Sequence, residues 1–377
     1  MTVEMTKYKL YEIADYVSSK VSTSQLSLQD YVTTDCLLQN KCGRECAKNL
    51  PPQCINVTAY KPGDILISNI RPYLKKIWYA DSEGGNSADV LTIRAKEGFE
   101  NQYMYYALFQ DSFFDYASKG VTGSKMPRGD KDRIMNFEIL VPKNLKSQKK
   151  IASILSDFDK RIENLRAQNR VLEQTAKTIY DYTFLQCAGH QTTYNKTLNR
   201  NIPTNWEVKT IGEILDKVSA TTKIETKLYQ QSGKYPVIDQ STNFIAGYTD
   251  DESAVIRKTP AVFFGDHTRI VKMINFEFAR GSDGTQILYS KEQNVEPFYL
   301  YFAVKAIDLS NMGYARHFKF LKDKPIAIPD MDTSVGFEKT IQPLFDKILI
   351  NRKQIEALTT QRNTLLPLLM TGQVAVD

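Results

Sequence analysis

Three short segments in the first half of the chain combine cationic and amide side chains with glycine or proline. They read QNKCGREC, SNIRPYLKK and KGVTGSKMPRGDKDR. Arg and Lys can contact phosphate or guanine, and Asn and Gln can pair with adenine through two hydrogen bonds. Glycine lets the backbone approach a partner closely. The candidate contact residues are Gln39, Asn40, Lys41, Arg44, Asn69, Arg71, Tyr73, Lys75, Lys76, Lys119, Thr122, Ser124, Lys125 and Arg128.

A comparable set of side chains occurs in the second half, in the segments DQS, HTR and GYARHFKF and at one separate arginine. The candidates there are Gln240, His267, Thr268, Arg269, Arg280, Tyr314, Arg316, His317 and Lys319. The alternative for each of these residues is a solvated surface position, because exposed polar side chains are common on any protein. As a set, they are suited to contact DNA.

Catalytic chemistry has little support in this sequence. No Asn/Asp-Pro-Pro-Tyr/Phe element is present to hold a flipped base, and no G-x-x-x-x-G-K-[ST] loop is present to bind ATP. Asp330, Glu338 and Lys339 could suggest a nuclease, but their spacing places them at the start of a helix, where acidic residues are common. We therefore expect a non-catalytic chain with no cofactor of its own.

Four of the five cysteines, Cys36, Cys42, Cys46 and Cys54, lie close together in the sequence. Zinc is one interpretation, but the spacing C-x5-C-x3-C-x7-C lacks the C-x2-C pairs of most structural zinc sites. Reduced thiols in a loop are the other interpretation, and they agree better with an odd cysteine count in a chain without a signal peptide. We predict no metal site.

The composition is that of an ordinary globular protein, with 42% hydrophobic and 24% charged residues. A chain of 377 residues is long enough for two or three domains. The net charge of +6 is compatible with a nucleic-acid partner but does not require one. No apolar run approaches the roughly 20 residues of a membrane span, and the N-terminus does not resemble a secretory signal. We expect a cytoplasmic protein.

The chain contains an internal repeat. SDFDKRIENL in the middle resembles QPLFDKILIN near the end, EIADYVSS resembles EILDKVSA, and YMYYAL resembles YLYFAV. NFEILVPKN, which contains Pro142, resembles DKPIAIPDM, which contains Pro329. The four matches occur in the same order and about half the chain length apart, which indicates that one unit is written twice.

Each copy ends in a segment with the seven-residue repeat of a coiled coil. Polar residues at Asn169, Asn351 and Arg362 interrupt the apolar positions, and they could either fix the register or be ordinary polar positions of a helix. Pro367 should kink or fray the last turn of the second helix. The predicted seam positions are Ile151, Leu155, Phe158, Ile162, Leu165, Asn169, Leu172, Ile179, Leu344, Ile348, Asn351, Ile355, Leu358, Leu365 and Leu369.

The remaining parts alternate short apolar runs with turn residues and short helical stretches, which predicts α+β domains. We predict a first domain at 1–145, a spacer helix at 146–187, a second domain at 188–332, and a distal helix and tail at 333–377. An antiparallel pairing of the two helices would give a pseudo-two-fold molecule. About 38 residues of helix would separate its domains by on the order of 57 Å, which suits duplex DNA.

The sequence resembles the specificity subunits of type I restriction-modification enzymes. The resemblance is carried by GDILISNIRPYLKK, QKKIASILSDFDKRIENL and NTLLPLLMTGQVAV, and by the order of domain, helix, domain and helix. It implies two target recognition domains that each read one half of a bipartite, asymmetric DNA sequence. The segment FFGDHTRIV resembles a different subtype of recognition domain from the first, so residues do not transfer simply between the halves.

The resemblance also implies partners. The helices would dock adenine methyltransferase subunits, which number two in such complexes and use S-adenosylmethionine. Separate restriction and translocase subunits would use ATP and Mg. Two alternatives remain at this stage: a coiled-coil scaffold that binds proteins without DNA specificity, and a fragment with methyltransferase or nuclease activity.

Overall fold

The structure is a computed structural model that describes residues 4–121, 125–218, 221–310, 313 and 316–374. The chain divides into two compact units. Unit 1 comprises Met1–Glu163 with Ile355–Asp377, and unit 2 comprises Asn164–Gln354. Each unit contains one end of each of two long helices.

Unit 1 combines short strands with short helices. Its strands are β1 (Met5–Lys9), β2 (Ala14–Tyr16), β3 (Lys20–Ser22), β4 (Tyr31–Val32), β5 (Asn56–Tyr60), β6 (Ile65–Ser68), β7 (Ile77–Tyr79), β8 (Gly84–Asn86), β9 (Val90–Ala95) and β10 (Glu138–Pro142). Its helices are α1 (Leu10–Ile13), α2 (Asn101–Phe109), α3 (Asp111–Ser118), α4 (Lys131–Met135), the first part of α5 (Leu145–Tyr180) and the last part of the C-terminal helix, Met331–Met370.

The central strand of unit 1 is β6, whose sequence ILIS is buried at every position. It pairs with β7 and β9, and β2 continues the sheet beyond β9. A second sheet has the order β3-β5-β8-β4, and β1 pairs antiparallel with β10. Helices α2 and α3 bury aromatic side chains such as Tyr103 and Phe113 against the first sheet, in a core that also holds Ile151 and Leu366 from the long helices.

Unit 2 is built from the same kinds of element. Its strands are β11 (Thr192–Asn195), β12 (Arg200–Pro203), β13 (Glu207–Thr210), β14 (Tyr235–Ile238), β15 (Gly247–Thr249), β16 (Val255–Ile256), β17 (Ala261–Gly265), β18 (Val271–Ile274), β19 (Phe278–Arg280), β20 (Thr285–Leu288) and β21 (Pro325–Ile328). Its helices are α6 (Ile211–Ile214), α7 (Pro297–Ala306), α8 (His317–Lys322), the last part of α5 and the first part of α9 (Met331–Met370).

The two units share part of their topology. β17 lies between β18 and β20 in unit 2, as β6 lies between β7 and β9 in unit 1. β13 pairs antiparallel with β21, as β1 pairs with β10. In both units a short helix precedes the last strand, which is followed by a long helix. The prediction of an α+β fold with two similar domains and two long helices is confirmed.

The long helices form where the sequence allows them to continue. α5 lies in a stretch without proline or glycine between Pro142 and Gly189, and a single π-helical turn, Asp181–Leu185, follows it. α9 begins after Asp330, whose side chain accepts a hydrogen bond from the Thr333 amide at 2.9 Å. It continues through Pro367 to Met370, and Gly372 follows with a φ of 71°.

Within each unit the two long helices pack side by side, and in unit 2 they run in opposite directions. There, Asn351 Nδ2 donates to Asn169 Oδ1 at 2.9 Å, and the rings of Tyr180 and Phe337 lie 6.1 Å apart further along. Of the predicted seam residues, Ile151, Leu155, Ile162, Ile348, Asn351 and Leu369 are buried, whereas Phe158, Leu165, Asn169, Leu172, Ile179, Leu344, Ile355, Leu358 and Leu365 are partly exposed. Among the described helices, none combines the length and apolarity that crossing a membrane requires.

Candidate nucleic-acid interface

In unit 1, three chain segments meet at the end of β6. The Arg71 amide donates to Pro127 O at 2.8 Å, and the Gly129 amide donates to Asn69 O at 2.9 Å. These bonds attach residues 127–129 alongside residues 69–71 as a short antiparallel bridge. The Asn69 amide donates in turn to Asp89 O at 2.8 Å. We call residues 69–71, 89 and 127–129 the loop edge of unit 1.

Two arginines project from this loop edge. Arg128 is 54% exposed and forms a two-point ion pair with Asp89, with Nε–Oδ1 and Nη2–Oδ2 distances of 2.9 and 3.2 Å. Arg71 is exposed and has a φ of 51°. Positive φ values are rare for residues with long side chains and cluster at functional sites. The positive φ of Arg71 and the two-point ion pair of Arg128 make these exposed arginines the candidate DNA contacts of the loop edge.

Lys41 and Lys75 connect neighbouring loops to the helices of unit 1. Both have positive φ values, and their ammonium groups share the Asp111 carboxylate at 2.8 and 2.9 Å. Lys41 also donates to Phe109 O at 3.0 Å. Burial lowers the pKa of the Lys41 ammonium. These contacts fix the loops of Lys41 and Lys75 to the start of α3, so both lysines have a structural role in addition to any contact with DNA.

The other candidates of unit 1 differ in their surroundings. Arg44 stacks on the Trp78 ring at 4.4 Å and donates to Gln29 O at 2.7 Å, and Lys76 donates to Thr34 O at 2.6 Å. Asn69 is buried. Gln39, Asn40, Tyr73, Lys119 and Lys125 are exposed. Thr122 and Ser124 lie outside the described residues.

Unit 2 has an equivalent junction at the end of β17. The His317 amide donates to Asp266 O at 2.8 Å, as the Gly129 amide donates to Asn69 O in unit 1. Asp266 is the first residue after β17, and Asn69 is the first residue after β6. The residue that precedes the donor is an exposed arginine in both cases, Arg128 and Arg316. The two arginines therefore occupy the same place in the repeat.

Side chains fix the loops around this second junction. Gln240 accepts a hydrogen bond from the His267 amide at 3.0 Å and donates to Asp283 O at 3.0 Å. Lys272 is buried and donates to Asp239 O at 2.8 Å and to Asn243 O at 2.5 Å. Burial lowers the pKa of Lys272 to about 8. Gln240 therefore links the loop after β14 to the loops after β17 and β19, and Lys272 of β18 holds the same loop through its carbonyl groups.

The remaining candidates of unit 2 divide into engaged and exposed residues. The His317 ring is buried between Asp266 O and Gly313 O, at 3.0 and 3.1 Å. Arg280 Nε donates a hydrogen bond to Thr285 Oγ1 at 3.1 Å, and burial lowers the pKa of the Arg280 guanidinium. Arg269, which has a φ of 61°, donates to Leu309 O at 3.1 Å. Thr268, Arg316 and Lys319 are exposed, and Tyr314 lies outside the described residues.

Comparison with known proteins decides the family. The sequence model of the type I restriction modification DNA specificity domain matches twice, at residues 4–174 and 203–360. The chain belongs to the type I specificity family. Each match covers one α+β domain and much of the long helix that follows it, in agreement with the internal repeat.

Relatives in the specificity family span most of this chain. It is 26% identical to the type I restriction enzyme MjaIX specificity subunit of Methanocaldococcus jannaschii, over 90% of this chain and 82% of the relative. It is 21% identical to the HindI specificity subunit of Haemophilus influenzae, over 98% and 99%. The fold is similar to that of a type I S subunit from M. genitalium, with a TM-score of 0.59, 15% identity, and coverage of 100% and 97%. Specificity subunits of this family are non-catalytic.

Three charged residues that position the loops of the two recognition domains were not foreseen from the sequence. Asp89 holds Arg128, and Asp111 holds Lys41 and Lys75. Lys272 holds the loop that contains Gln240. Lys272 could have been suspected, because a lysine within the apolar strand VKMI is unusual in a buried sheet. No comparable signal marks Asp89 or Asp111, whose partners are distant in sequence.

Proposed function

We propose that this chain is the non-catalytic subunit that gives a type I restriction-modification complex its DNA sequence specificity. The target is bipartite and asymmetric, and each recognition domain reads one half-site. The observation that carries the proposal is the repeated junction at the ends of β6 and β17, where each domain presents an exposed arginine from hydrogen-bonded loops. Because loops fixed by a rigid scaffold can read bases accurately, this arrangement suits direct recognition of DNA.

The division of labour follows from the two domains. Residues 1–145 and 188–332 form the readers, and the helical segments 146–187 and 333–377 hold them and dock partner subunits. The reactions are carried out by those partners: methyltransferase subunits, two in number, with S-adenosylmethionine, and restriction subunits with ATP and Mg. This chain then supplies sequence recognition and needs no cofactor itself.

The experiment is to map methylated adenines across the genome of cells with and without the chain, which identifies both half-sites. Complexes isolated from the cells that contain the chain should bind a duplex of the mapped sequence more tightly than a duplex of scrambled sequence. Binding should weaken steeply with salt, because neutralised phosphates release counterions. A scaffold without DNA specificity would give no methylation difference and no preference between the duplexes.

A matched pair of variants localises the interface in unit 1. Arg71→Ala removes a cation next to the junction and should weaken binding of the mapped duplex. Lys7→Ala removes a cation that is 61% exposed on β1, where it pairs with Glu138 outside the residues of the loop edge, and should leave binding nearly unchanged. Equal effects of the two substitutions would show that only net charge matters and would contradict the proposed interface.

A further inference from the structure

We infer that Arg128 reads a guanine in the half-site of unit 1, and that Asp89 is the positioning residue that presents it. The inference rests on the proposed function and adds to it the base that is read and the group that reads it. Three observations carry it: the two-point ion pair, the fixed backbone on which Arg128 stands, and the equivalent position of Arg316.

The ion pair uses one edge of the guanidinium and leaves the other edge open. A guanidinium has five N–H groups in a fixed plane. Asp89 accepts from Nε and from one N–H of Nη2. The end-on edge, formed by Nη1 and the second N–H of Nη2, matches the O6 and N7 acceptors of guanine in the major groove. Because Asp89 fixes the plane, the arginine loses less conformational freedom when it binds a base.

The backbone on which Arg128 stands has little freedom. Hydrogen bonds at residues 127 and 129 hold it on both sides. A Cβ atom at Gly129 would lie 2.9 Å from Asn69 Oδ1 and 3.3 Å from Ile134 Cδ1, so the chain here is packed closely. Asp130 then caps α4 by accepting from the amides of Asp132 and Arg133. Arg128 therefore projects from a defined position.

Three other arginines of unit 1 are bound to groups of the protein itself. Arg44 lies against Trp78 and donates to Gln29 O. Arg133 lies 4.3 Å from the Tyr116 ring centre and donates to Tyr116 O. Arg94 pairs with Asp64, whose side chain is fully buried. Arg128 instead pairs at the surface, where an ion pair adds little to stability. Its geometry is therefore better explained by recognition than by folding.

The test uses complexes carrying the full chain and duplexes of the mapped target in which single guanines of the unit 1 half-site are replaced by 7-deazaguanine, which lacks N7. With the unsubstituted chain, one such replacement should weaken binding about fivefold or more. Arg128→Lys keeps the charge but loses the two-point contact. It should weaken binding by about 5- to 140-fold and abolish the effect of that 7-deazaguanine.

Asp89→Asn removes the carboxylate that accepts from both Arg128 nitrogens and so tests the positioning role. It should reduce the preference for guanine over adenine at the same base pair while leaving the thermal unfolding temperature nearly unchanged.

Arg316→Lys is the matched control. It should leave the unit 1 half-site unaffected and change the preference within the other half-site.

Three results would overturn the inference while leaving the proposed function in place. One is a unit 1 half-site without a G·C pair. Another is a 7-deazaguanine effect that is the same with and without Arg128→Lys. The third is equal weakening on all duplexes, which would indicate phosphate contact. In contrast, an unsubstituted complex without any sequence preference would refute the proposed function itself.

Discussion

At the scale of single residues, two carboxylates near the start of α9 have pKa values shifted in opposite directions. Although burial opposes its ionisation, hydrogen bonds from Thr333, Trp206 and Asn205 lower the pKa of Asp330 to about 2. Burial, with a smaller effect of Glu296, raises the pKa of Glu338 to about 7, although the Phe298 amide donates to it. Both carboxylates satisfy amides at helix starts, Asp330 for α9 and Glu338 for α7, which is a structural task.

The pKa of Glu338 predicts a pH-dependent stability of unit 2. The folded state binds a proton up to about pH 7, whereas an unfolded glutamate releases it near pH 4.3. The stability that protonated Glu338 contributes is therefore fully present below about pH 4.3. It is lost as the pH rises through about 7. Glu338→Gln, which mimics the protonated form, should increase the free energy of unfolding at pH 8 by on the order of 2–3 kcal/mol.

Fluorescence can report this change for unit 2 alone. The two tryptophans of the chain lie in different units, Trp78 in unit 1 and Trp206 in unit 2. In a Trp78→Phe background, urea unfolding followed through Trp206 should show a pH slope between pH 5 and 7 that Glu338→Gln flattens. If the free energy of unfolding had the same pH slope with and without the substitution, the pKa of Glu338 in the folded state would not be raised into this range.

At the scale of elements, one arginine joins three helices of unit 1. Arg362 of α9 pairs with Asp159 of α5 and lies 4.7 Å from the centre of the Phe109 ring of α2. The second oxygen of Asp159 accepts from Tyr106 OH of α2 at 2.7 Å. The side chain of Arg362 is only 12% exposed. Removing it would leave the Asp159 carboxylate without its cation, whereas the Phe109 ring would keep Lys41, whose Nζ lies 4.8 Å from the ring centre.

Arg362→Met should therefore lower the free energy of unfolding of unit 1 by about 2–3 kcal/mol. Urea unfolding followed through Trp78 fluorescence in a Trp206→Phe background measures this free energy for unit 1. Lys160→Met is the matched control on α5, since Lys160 is 74% exposed and its loss should change stability by less than about 0.5 kcal/mol. Adding Asp159→Asn to Arg362→Met should recover part of the loss. Without such recovery, the ion pair would not be the source of the effect.

The sequence predicted the long helices well, because their evidence is local. A stretch without proline or glycine and a seven-residue apolar repeat require no knowledge of the rest of the chain. Pairings between distant segments have no such signal. The sequence does not show that β1 pairs with β10, or that Ile355–Asp377 belongs to the same unit as the N-terminus. The loop candidates were predicted by residue type, so anchored residues such as Arg44 could not be told apart from presented ones such as Arg128.

At the scale of the whole molecule, the repeat predicts two independent readers. Exchanging unit 1 for that of another family member should change one half-site and leave the other intact. The exchange should include 355–377 as well as 1–163, because Ile151 and Leu366 share the core that holds Tyr103. Methylation mapping reads the outcome. A chimera that altered both half-sites together would contradict separate reading, whereas exchange of 1–145 alone should give a less stable protein.

The length of the long helices should set the spacing between the half-sites. Insertion of four residues after Gln168 in α5 and four at the facing level, after Asn351 in α9, keeps the pair matched, since Asn351 contacts both Gln168 and Asn169. Each insertion adds about 6 Å and rotates its helix by about 40° beyond a full turn. DNA rises about 3.4 Å per base pair, so the spacer should lengthen by one or two base pairs with both half-sites unchanged.

A single insertion is the control for this experiment. Four residues in α5 alone would move Leu172 and Ile179 away from their neighbours in the unit 2 core, and the exposed apolar surface should lower stability. Methylation mapping of the matched variant then decides between two roles of the helices. A longer spacer with the same half-sites would mean that they measure distance. An unchanged spacer with full methylation would mean that they serve only to dock partner subunits.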